Sequence, residues 1–195
     1  MANAVVLASG NGSNFQAIAE RVAESPHRIV ALVCDRYGVP VLERARNLGI
    51  EAIVIDYATD RAAAEERLAE ILTDLRPDYI FLAGFMKIIS ADLVSEFEGR
   101  MVNVHPALLP RYPGLNAIER AYAAGDATLG VTIHYVDAGV DTGPIIAQRS
   151  IERAAGDSLE AVEQRIHEIE HQLFPEVALA LLDSVGASQV SGAIR

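Results

Sequence analysis

The sequence predicts an α/β fold: a Rossmann-like open, mostly parallel sheet with helices on both faces, which becomes mixed toward the C-terminal half. Short apolar runs rich in β-branched residues alternate with helical patterns; the runs cover residues 4–9, 28–34, 51–56, 78–84 and 100–105. Near-continuous apolar strands that alternate with helices are typical of a parallel sheet covered on both sides. Two later runs, 128–136 and 144–152, are joined by the turn-rich stretch DAGVDTG and could pair antiparallel, which would make the sheet mixed.

Two segments show clear helical periodicity. The segment that begins at Arg61 has one apolar face, formed by Leu68, Ile71, Leu72 and Leu75. Residues 158–184 predict a long helix, for which Asp157 or Ser158 is a suitable N-cap. Its buried stripe is Leu159, Val162, Ile166, Ile169 and Leu173. Because no repeat or linker interrupts the chain, we expect one domain over residues 1–184 and a loose tail over 185–195.

The composition is that of an ordinary globular protein. Of the 195 residues, 51% are hydrophobic and 22% are charged, which argues against disorder. The net charge is −11 and the 16 basic residues are scattered, so we expect no nucleic-acid partner. No apolar run approaches the ~18 residues of a membrane span, and the N-terminal stretch lacks the basic start of a signal peptide. With Cys34 as the single cysteine, we predict a cytoplasmic protein.

The stretch SGNGSN, residues 9–14, follows the first strand and opens a helix. Gly10 and Gly12 permit a tight turn, after which the N–H groups of the helix start form an anion site, most often for phosphate. Asp35 ends the second strand, where a dinucleotide-binding fold keeps its ribose-binding acid. An NAD(P)-dependent Rossmann oxidoreductase is therefore an alternative, although Phe15 stands where the third glycine of that fingerprint would be. A plain strand-to-helix turn is a third interpretation.

The stretch NVHPALLPRYPG, residues 103–114, contains three prolines. In an extended strand Asn103 and His105 point to the same face, and Pro106 ends the strand at His105. The carboxyl ends of strands are where open α/β sheets place ligand sites. The two side chains would make a donor pair for a developing oxyanion, with His105 also able to act as general acid or base. Alternatively, they merely satisfy backbone groups of the loop.

The turn-rich stretch DAGVDTGPII, residues 137–146, contains two acids, Asp137 and Asp141, among glycines and a proline. Such a stretch can be a plain turn. An Asp held in a stiff loop could instead orient an imidazole and raise its pKa. The sequence does not decide whether either acid meets His105.

The stretch HEIEH, residues 167–171, matches two zinc-peptidase patterns. No convincing third ligand follows, Pro175 interrupts the helical pattern soon afterwards, and Glu170 adds a second carboxylate to the motif. A polar helix face is the better interpretation, so we expect no metal.

The order of these motifs is more specific than any one of them. The succession VVLASGNGSNFQAI, LAGFMKIIS, NVHPALLPRYPG and GVDTGPIIAQ resembles the phosphoribosylglycinamide formyltransferases, the folate-dependent enzymes of de novo purine synthesis, from about Asn3 to Asp183. The resemblance implies a formyltransferase fold in which a formyl group passes from the co-substrate 10-formyltetrahydrofolate to the amine of glycinamide ribonucleotide. The products would be formylglycinamide ribonucleotide and tetrahydrofolate, with neither metal nor NAD. The sequence does not decide between a monomer and a homodimer.

The resemblance assigns residues to three roles. The catalytic residues would be Asn103, His105 and Asp141. The ribonucleotide would be held by Gly12, Ser13, Asn14, His167 and Glu170, and the folate by Arg61, Met86, Lys87, Ile88, Ile89 and Asn103. Residues 1–100 would thus form a phosphate-binding half, and residues 101–184 a folate and catalytic half.

Two departures from the family pattern bear on these assignments. Ala107 stands where Ser is frequent, and Lys87 replaces a more usual Arg, which keeps the charge but loses the planar fork. We expect changed folate contacts rather than lost activity. Of the related enzymes, methionyl-tRNA formyltransferase carries an additional domain. Formyltetrahydrofolate deformylase, which adds an N-terminal regulatory domain, is kept as an alternative beside the oxidoreductase.

Overall fold

A computed structural model describes residues 1–191 of the protein. Its strands are β1 (Asn3–Ala8), β2 (Arg28–Cys34), β3 (Ala52–Val54), β4 (Tyr79–Leu82), β5 (Met101–His105), β6 (Thr128–Tyr135) and β7 (Ile145–Glu152). Its helices are α1 (Ser13–Ala23), α2 (Pro40–Asn47), α3 (Arg61–Leu75), α4 (Ala91–Glu96), α5 (Ala117–Ala123) and α6 (Leu159–Ser191). All seven predicted strands are present. The run predicted over 51–56 is shorter than expected, because β3 is an edge strand with β2 as its partner.

The strands form one sheet in the order β3-β2-β1-β4-β5-β6-β7. The first five in the chain run parallel, whereas β6 pairs antiparallel with both β5 and β7. The prediction of a mostly parallel sheet that becomes mixed toward the C-terminal half is therefore confirmed. The strand order reverses between β1 and β4, and such a switch point opens a crevice at the carboxyl edge of the sheet.

Two hydrophobic cores cover the two faces of the sheet. Successive residues of β1 alternate between them: Val6 and Ala8 pack toward α1 and α6, and Val5 and Leu7 pack toward α3 and α4. This alternation follows from the two-residue period of a strand. Because both faces are covered, the central strands are apolar at nearly every position.

The two predicted helices are confirmed as α3 and α6. The Asp60 side chain caps α3 by accepting hydrogen bonds from two backbone N–H groups, at 2.9 and 3.1 Å. Ser158 Oγ accepts from the N–H of Ala161 at the start of α6, whereas Asp157 pairs with Arg165. Of the predicted apolar stripe of α6, four residues are buried and Leu159 is partly buried.

The prediction of a loose tail from residue 185 is wrong for residues 185–191, which continue α6. A helix already held by packing extends at little cost, and the one glycine in this stretch opposes extension by only about 1 kcal/mol. Residues 192–195 lie outside the described residues. Within residues 1–191, no helix combines the length and apolarity needed to cross a membrane.

Candidate active site

The candidate site lies at the carboxyl edge of the sheet, where the loops after β1, β4 and β5 meet. The loop after β1 is bonded to the loop after β4 through Ser9. Its N–H donates to the carbonyl of Gly84 at 3.1 Å, and its Oγ accepts from the N–H of Met86 at 2.8 Å. The predicted phosphate-binding loop and the predicted folate-binding loop are therefore neighbours held in a fixed relation.

A polar cluster forms where β5 pairs with β6. Asn103 stands opposite His134 in this antiparallel pairing, so both side chains point to the same face of the sheet. Asn103 Nδ2 lies 3.2 Å from His134 Nε2 and 3.4 Å from Asp141 Oδ1. His134 Nδ1 donates to the carbonyl of Tyr135 at 2.8 Å, which fixes the orientation of its ring.

Asp141 is the centre of this cluster. Its Oδ2 accepts from the N–H of Gly114 at 2.7 Å and lies 3.3 Å from His105 Nδ1. Burial alone would raise the pKa of Asp141, but hydrogen bonding by His134 and Gly114, together with the charge of His105, lowers it to about 2. The carboxylate is thus ionised at neutral pH, and it is the only acid of the 137–146 stretch found in contact with His105 among the described residues.

Asp137 stabilises the loop through hydrogen bonds within it and does not contact His105. Its Oδ1 accepts from the N–H of Gly139 at 3.0 Å and from the hydroxyl of Thr142 at 2.8 Å. These bonds close the turn that presents Asp141, whose own φ is 54°, in the left-handed region. The structure thus answers which of the two acids meets the imidazole.

His105 is buried between two acceptors. Its Nε2 donates to the carbonyl of Tyr112 at 2.8 Å, and its Nδ1 faces Asp141. Burial lowers the pKa of His105, although Asp141 and the Tyr112 carbonyl both favour the charged form. The ring is therefore neutral at neutral pH, with an acid beside it to stabilise a proton taken up at Nδ1. This geometry supports a proton-transfer role better than direct donation to an oxyanion.

The proline-rich loop is fixed to β6 through Thr132. The hydroxyl of Thr132 donates to the carbonyl of Ala107 at 2.6 Å and accepts from the N–H of Leu109 at 3.0 Å. The Ala107 side chain is buried. The loop thereby holds the backbone groups of Tyr112 and Gly114 against His105 and Asp141.

A cleft of about 480 Å³ opens beside the cluster. It is lined on one side by Asn103, His105, His134 and Asp141, and on the other by Met86, Lys87, Ile88 and Ile89. Met86 and Ile88 are 57% and 66% exposed, so an apolar ligand would find uncovered apolar surface here. A larger open groove of about 640 Å³ between α1 and α6 contains none of the cluster residues.

Arg61 and Lys87, which were predicted to bind folate, form contacts within the protein. Arg61 Nη2 donates to the carbonyl of Ile88 at 3.0 Å and supports the loop from outside the cleft lining. Lys87 lines the cleft with part of its chain, but its Nζ lies 3.4 Å from Asp35 Oδ2. The Asp35 side chain is 1% exposed and is also paired with Arg36. Asp35 is therefore buried beneath Lys87 and lines no part of the cleft, so it is not presented to a ribose there.

The glycine loop forms a cradle at the start of α1. Gly12 has a φ of 80°, and a Cβ at this position would lie 2.3 Å from the side chain of Val41, so only glycine fits. Among the described residues no side chain caps α1, and its first turn carries no acid. The N–H groups at this helix start are thus left for an anion, with Ser13 and Asn14 beside them.

The late helix reaches this cradle. Asn14 Nδ2 donates to Glu170 Oε2 at 2.9 Å across 156 residues of chain. Burial raises the pKa of Glu170, although Asn14 and His167 act in the opposite direction. His167 and Glu168 are exposed. In the described part of the chain no three potential ligand side chains are grouped to share a metal ion.

Sequence reasoning did not assign a role to His134 or to the two backbone groups that contact His105 and Asp141. The alternation of β6 left His134 on either face, because only the pairing register with β5 decides which face carries Asn103. The other two groups, the carbonyl of Tyr112 and the N–H of Gly114, belong to the backbone, so no residue type in the sequence marks them. Their positions depend on the folded loop, in which Tyr112 has a positive φ of 55°.

An anion cradle, an apolar cleft and an Asn–His–Asp cluster at one edge of an α/β sheet are typical of an enzyme. A family profile described as formyl transferase matches residues 2–178. The chain is 44% identical to the phosphoribosylglycinamide formyltransferase of Bacillus subtilis (strain 168) over 181 residues, which cover 91% of this chain and 93% of that protein. The protein belongs to the formyl transferase family.

Solved structures agree with this assignment. Glycinamide ribonucleotide transformylase 1 from Geobacillus kaustophilus is 46% identical, with a TM-score of 0.89 and coverage of 93% of this chain and 99% of that one. Phosphoribosylglycinamide formyltransferase from Streptococcus pneumoniae TIGR4 is 45% identical, with a TM-score of 0.86 and the same coverage. These similarities confirm the predicted fold class and favour neither the oxidoreductase nor the deformylase alternative.

Proposed function

We propose that the protein transfers the formyl group of 10-formyltetrahydrofolate to the amine of glycinamide ribonucleotide in de novo purine biosynthesis. The observation that carries this proposal is the opening of the Asn103, His105 and Asp141 cluster onto the cleft bounded by Met86–Ile89. The phosphate cradle is hydrogen-bonded to that same loop through Ser9. One substrate can thus be held at the cradle and the other in the cleft.

The ribonucleotide phosphate binds at the N–H groups of Gly12, Ser13 and Asn14. The uncapped helix start supplies donors and the positive end of the helix dipole. Glu170, which accepts a hydrogen bond from Asn14, would also accept from the ribose hydroxyls, and the exposed His167 lies on the same helix. These contacts leave the glycinamide amine directed toward the cleft.

The folate occupies the apolar cleft along Met86–Ile89. The Met86 N–H and the Ile88 carbonyl are bonded to Ser9 and Arg61, which hold the loop in place. The exposed Met86 and Ile88 side chains then cover the faces of the pterin. Arg61 and Lys87 act on the shape of this loop through the Ile88 carbonyl and Asp35. The Lys87 departure from the family pattern is accommodated by this inward pairing.

In the reaction the amine attacks the formyl carbon, a new C–N bond forms, and the carbonyl electrons move to the oxygen. Asn103 donates a hydrogen bond to this oxyanion in place of its long 3.4 Å contact with Asp141. Such a donor lowers the barrier by about 3 kcal/mol. The C–N bond to the folate then breaks, and the oxygen electrons restore the carbonyl.

The proton balance is maintained by the His105–Asp141 pair. The amine loses a proton as it attacks, and the neutral His105 accepts it at Nδ1, where Asp141 stabilises the resulting charge. The same pair returns a proton to the departing folate nitrogen. Holding both substrates in one orientation supplies much of the remaining rate enhancement.

The reaction uses small-molecule substrates and needs neither metal nor NAD. We place the enzyme in the cytoplasm as a monomer or homodimer, with one domain over residues 1–184. In that domain the ribonucleotide phosphate binds to residues 1–100 and the catalytic residues lie in 101–184, while the folate lies between the two, along Met86–Ile89 and against Asn103.

The test is a formyl-transfer assay with purified protein, glycinamide ribonucleotide and a 10-formylfolate. Release of deformylated folate is followed by absorbance, with EDTA and NAD as additions. We expect release that requires the ribonucleotide and is unaffected by either addition. Release without the ribonucleotide would indicate a deformylase, and NAD binding without any release would indicate an oxidoreductase.

A further inference from the structure

The segment from Tyr112 to Leu115 has two functional sides. The carbonyl of Tyr112 accepts from His105, and the N–H of Gly114 donates to Asp141, at 2.8 and 2.7 Å. The carbonyls of Pro113 and Leu115 instead face Arg120. The geometry of the catalytic pair therefore depends on where this short backbone segment is held.

Arg120, from the second turn of α5, holds the outer side of this segment. Its Nη1 donates to the carbonyl of Pro113 at 2.6 Å and lies 3.5 Å from that of Leu115. Its guanidinium also lies 5.6 Å from the ring centre of Tyr112. Arg120 is exposed and lies outside the cleft lining, so it acts on the segment and not on a ligand.

The segment requires such support because its backbone is unfavourable without it. Tyr112 and Asn116 have φ values of 55° and 56°, a region that residues other than glycine rarely adopt. Gly114, between them, has a φ of 79°. Without support, the segment would relax toward more common φ values, and the Tyr112 carbonyl and the Gly114 N–H would move away from His105 and Asp141.

We propose that Arg120 is a positioning residue for the catalytic pair, which fixes the 112–115 backbone so that Tyr112 and Gly114 aim His105 and Asp141 at the reacting atoms. This inference rests on the proposed formyl transfer for its kinetic part. It makes an exposed arginine on α5 a determinant of turnover without substrate contact.

The charge of Arg120 provides a second, independent readout. Among the groups that act on His105 it is a minor one: burial lowers the pKa of His105, Asp141 and the Tyr112 carbonyl oppose this, and His134 and Arg120 lower it further. Losing the Arg120 charge alone should therefore raise the pKa of His105, whereas losing the contacts with Tyr112 and Asp141 should lower it. Arg120→Lys keeps the charge but loses the planar donor group, so it isolates the positioning effect.

The experiment compares Arg120→Gln and Arg120→Lys with Arg111→Gln. Arg111 is a matched control because it also lies over the Tyr112 ring, at 5.1 Å, but donates to the Tyr112 hydroxyl and Asp126 instead of to backbone carbonyls. We expect Arg120→Gln to lower kcat about tenfold with an unchanged KM for the ribonucleotide. Arg111→Gln should stay within about twofold of wild type, and thermal unfolding checks that each variant is folded.

Ring-nitrogen NMR titration of His105, assigned with His105→Asn, gives the second readout. We expect a lowered pKa in Arg120→Lys, where the charge is kept and only the positioning of Tyr112 and Asp141 is lost. Equal kcat values for Arg120→Gln and Arg111→Gln, or an unmoved pKa in Arg120→Lys, would overturn the inference. A wild-type enzyme without ribonucleotide-dependent transfer would refute the proposed function instead, and the titration would still decide the role of Arg120.

Discussion

Replacing Asp141 by Asn tests the proposed proton transfer most directly. The amide keeps the size of the side chain and can still accept the 2.7 Å hydrogen bond from Gly114. It removes the negative charge that lies 3.3 Å from His105 Nδ1. The substitution therefore leaves the loop in place and abolishes the stabilisation of a protonated His105.

The size of the effect follows from that distance. Two unit charges 3.3 Å apart attract by about 5 kcal/mol at an effective dielectric constant of about 20. The Asp141 side chain is 13% exposed, and part of the loss will be compensated by water. We expect a loss of ~3–4 kcal/mol in the transition state, which lowers kcat by about 10²–10³-fold.

Steady-state kinetics with varied ribonucleotide and folate would measure this loss, and the ribonucleotide KM should stay within about threefold. Asp137→Asn is the matched control, because this acid of the same loop bonds Gly139 and Thr142 and not His105; it should lower kcat less than tenfold, by roughly the cost of a weakened turn. A kcat for Asp141→Asn within about threefold of wild type, or equal losses in the two variants, would refute the assigned role of Asp141.

Three further predictions concern the cradle, the folate loop and acid stability. Gly12→Ala places a Cβ 2.3 Å from Val41 at a φ of 80°; it should lower the free energy of unfolding by about 1–3 kcal/mol and raise the ribonucleotide KM. Lys87→Met removes one partner of the buried Asp35; it should raise the folate KM several-fold without changing the ribonucleotide KM. Because the pKa of Asp141 is lowered to about 2 from 3.8, its contribution to stability is present above pH ~4 and lost as the pH falls toward ~2.

Each of these outcomes has a direct check. Denaturant unfolding and ribonucleotide kinetics measure the glycine variant, for which an unchanged stability would contradict the close contact. Folate kinetics measure Lys87→Met, and a change confined to the ribonucleotide KM would contradict the loop assignment. Denaturant unfolding of the wild type and of Asp141→Asn between pH 2 and pH 7 measures the contribution of Asp141 to stability. If the difference in unfolding free energy between the two proteins does not shrink as the pH falls, the predicted acid dependence is wrong.

The local patterns of apolar residues in the sequence were sufficient to predict the fold class. Alternating apolar runs and helical stripes depend on the residue periods of strands and helices, which nearby sequence sets. The same period placed Asn103 and His105 on one face, and the glycines of residues 9–14 marked the helix start. The end of α6 was predicted too early, because continuation of a helix that is already packed is cooperative and leaves little local signal.

The sequence by itself determined the α/β class, the strand order along the chain and the residue types offered for chemistry at Asn103, His105 and Asp141. Only the tertiary structure decided that Asp141 and not Asp137 meets His105, that His134 joins them, and that Lys87 turns to Asp35. The physical reason is that periodicity acts over a few residues, whereas these contacts depend on strand register and on loop backbones held by distant side chains.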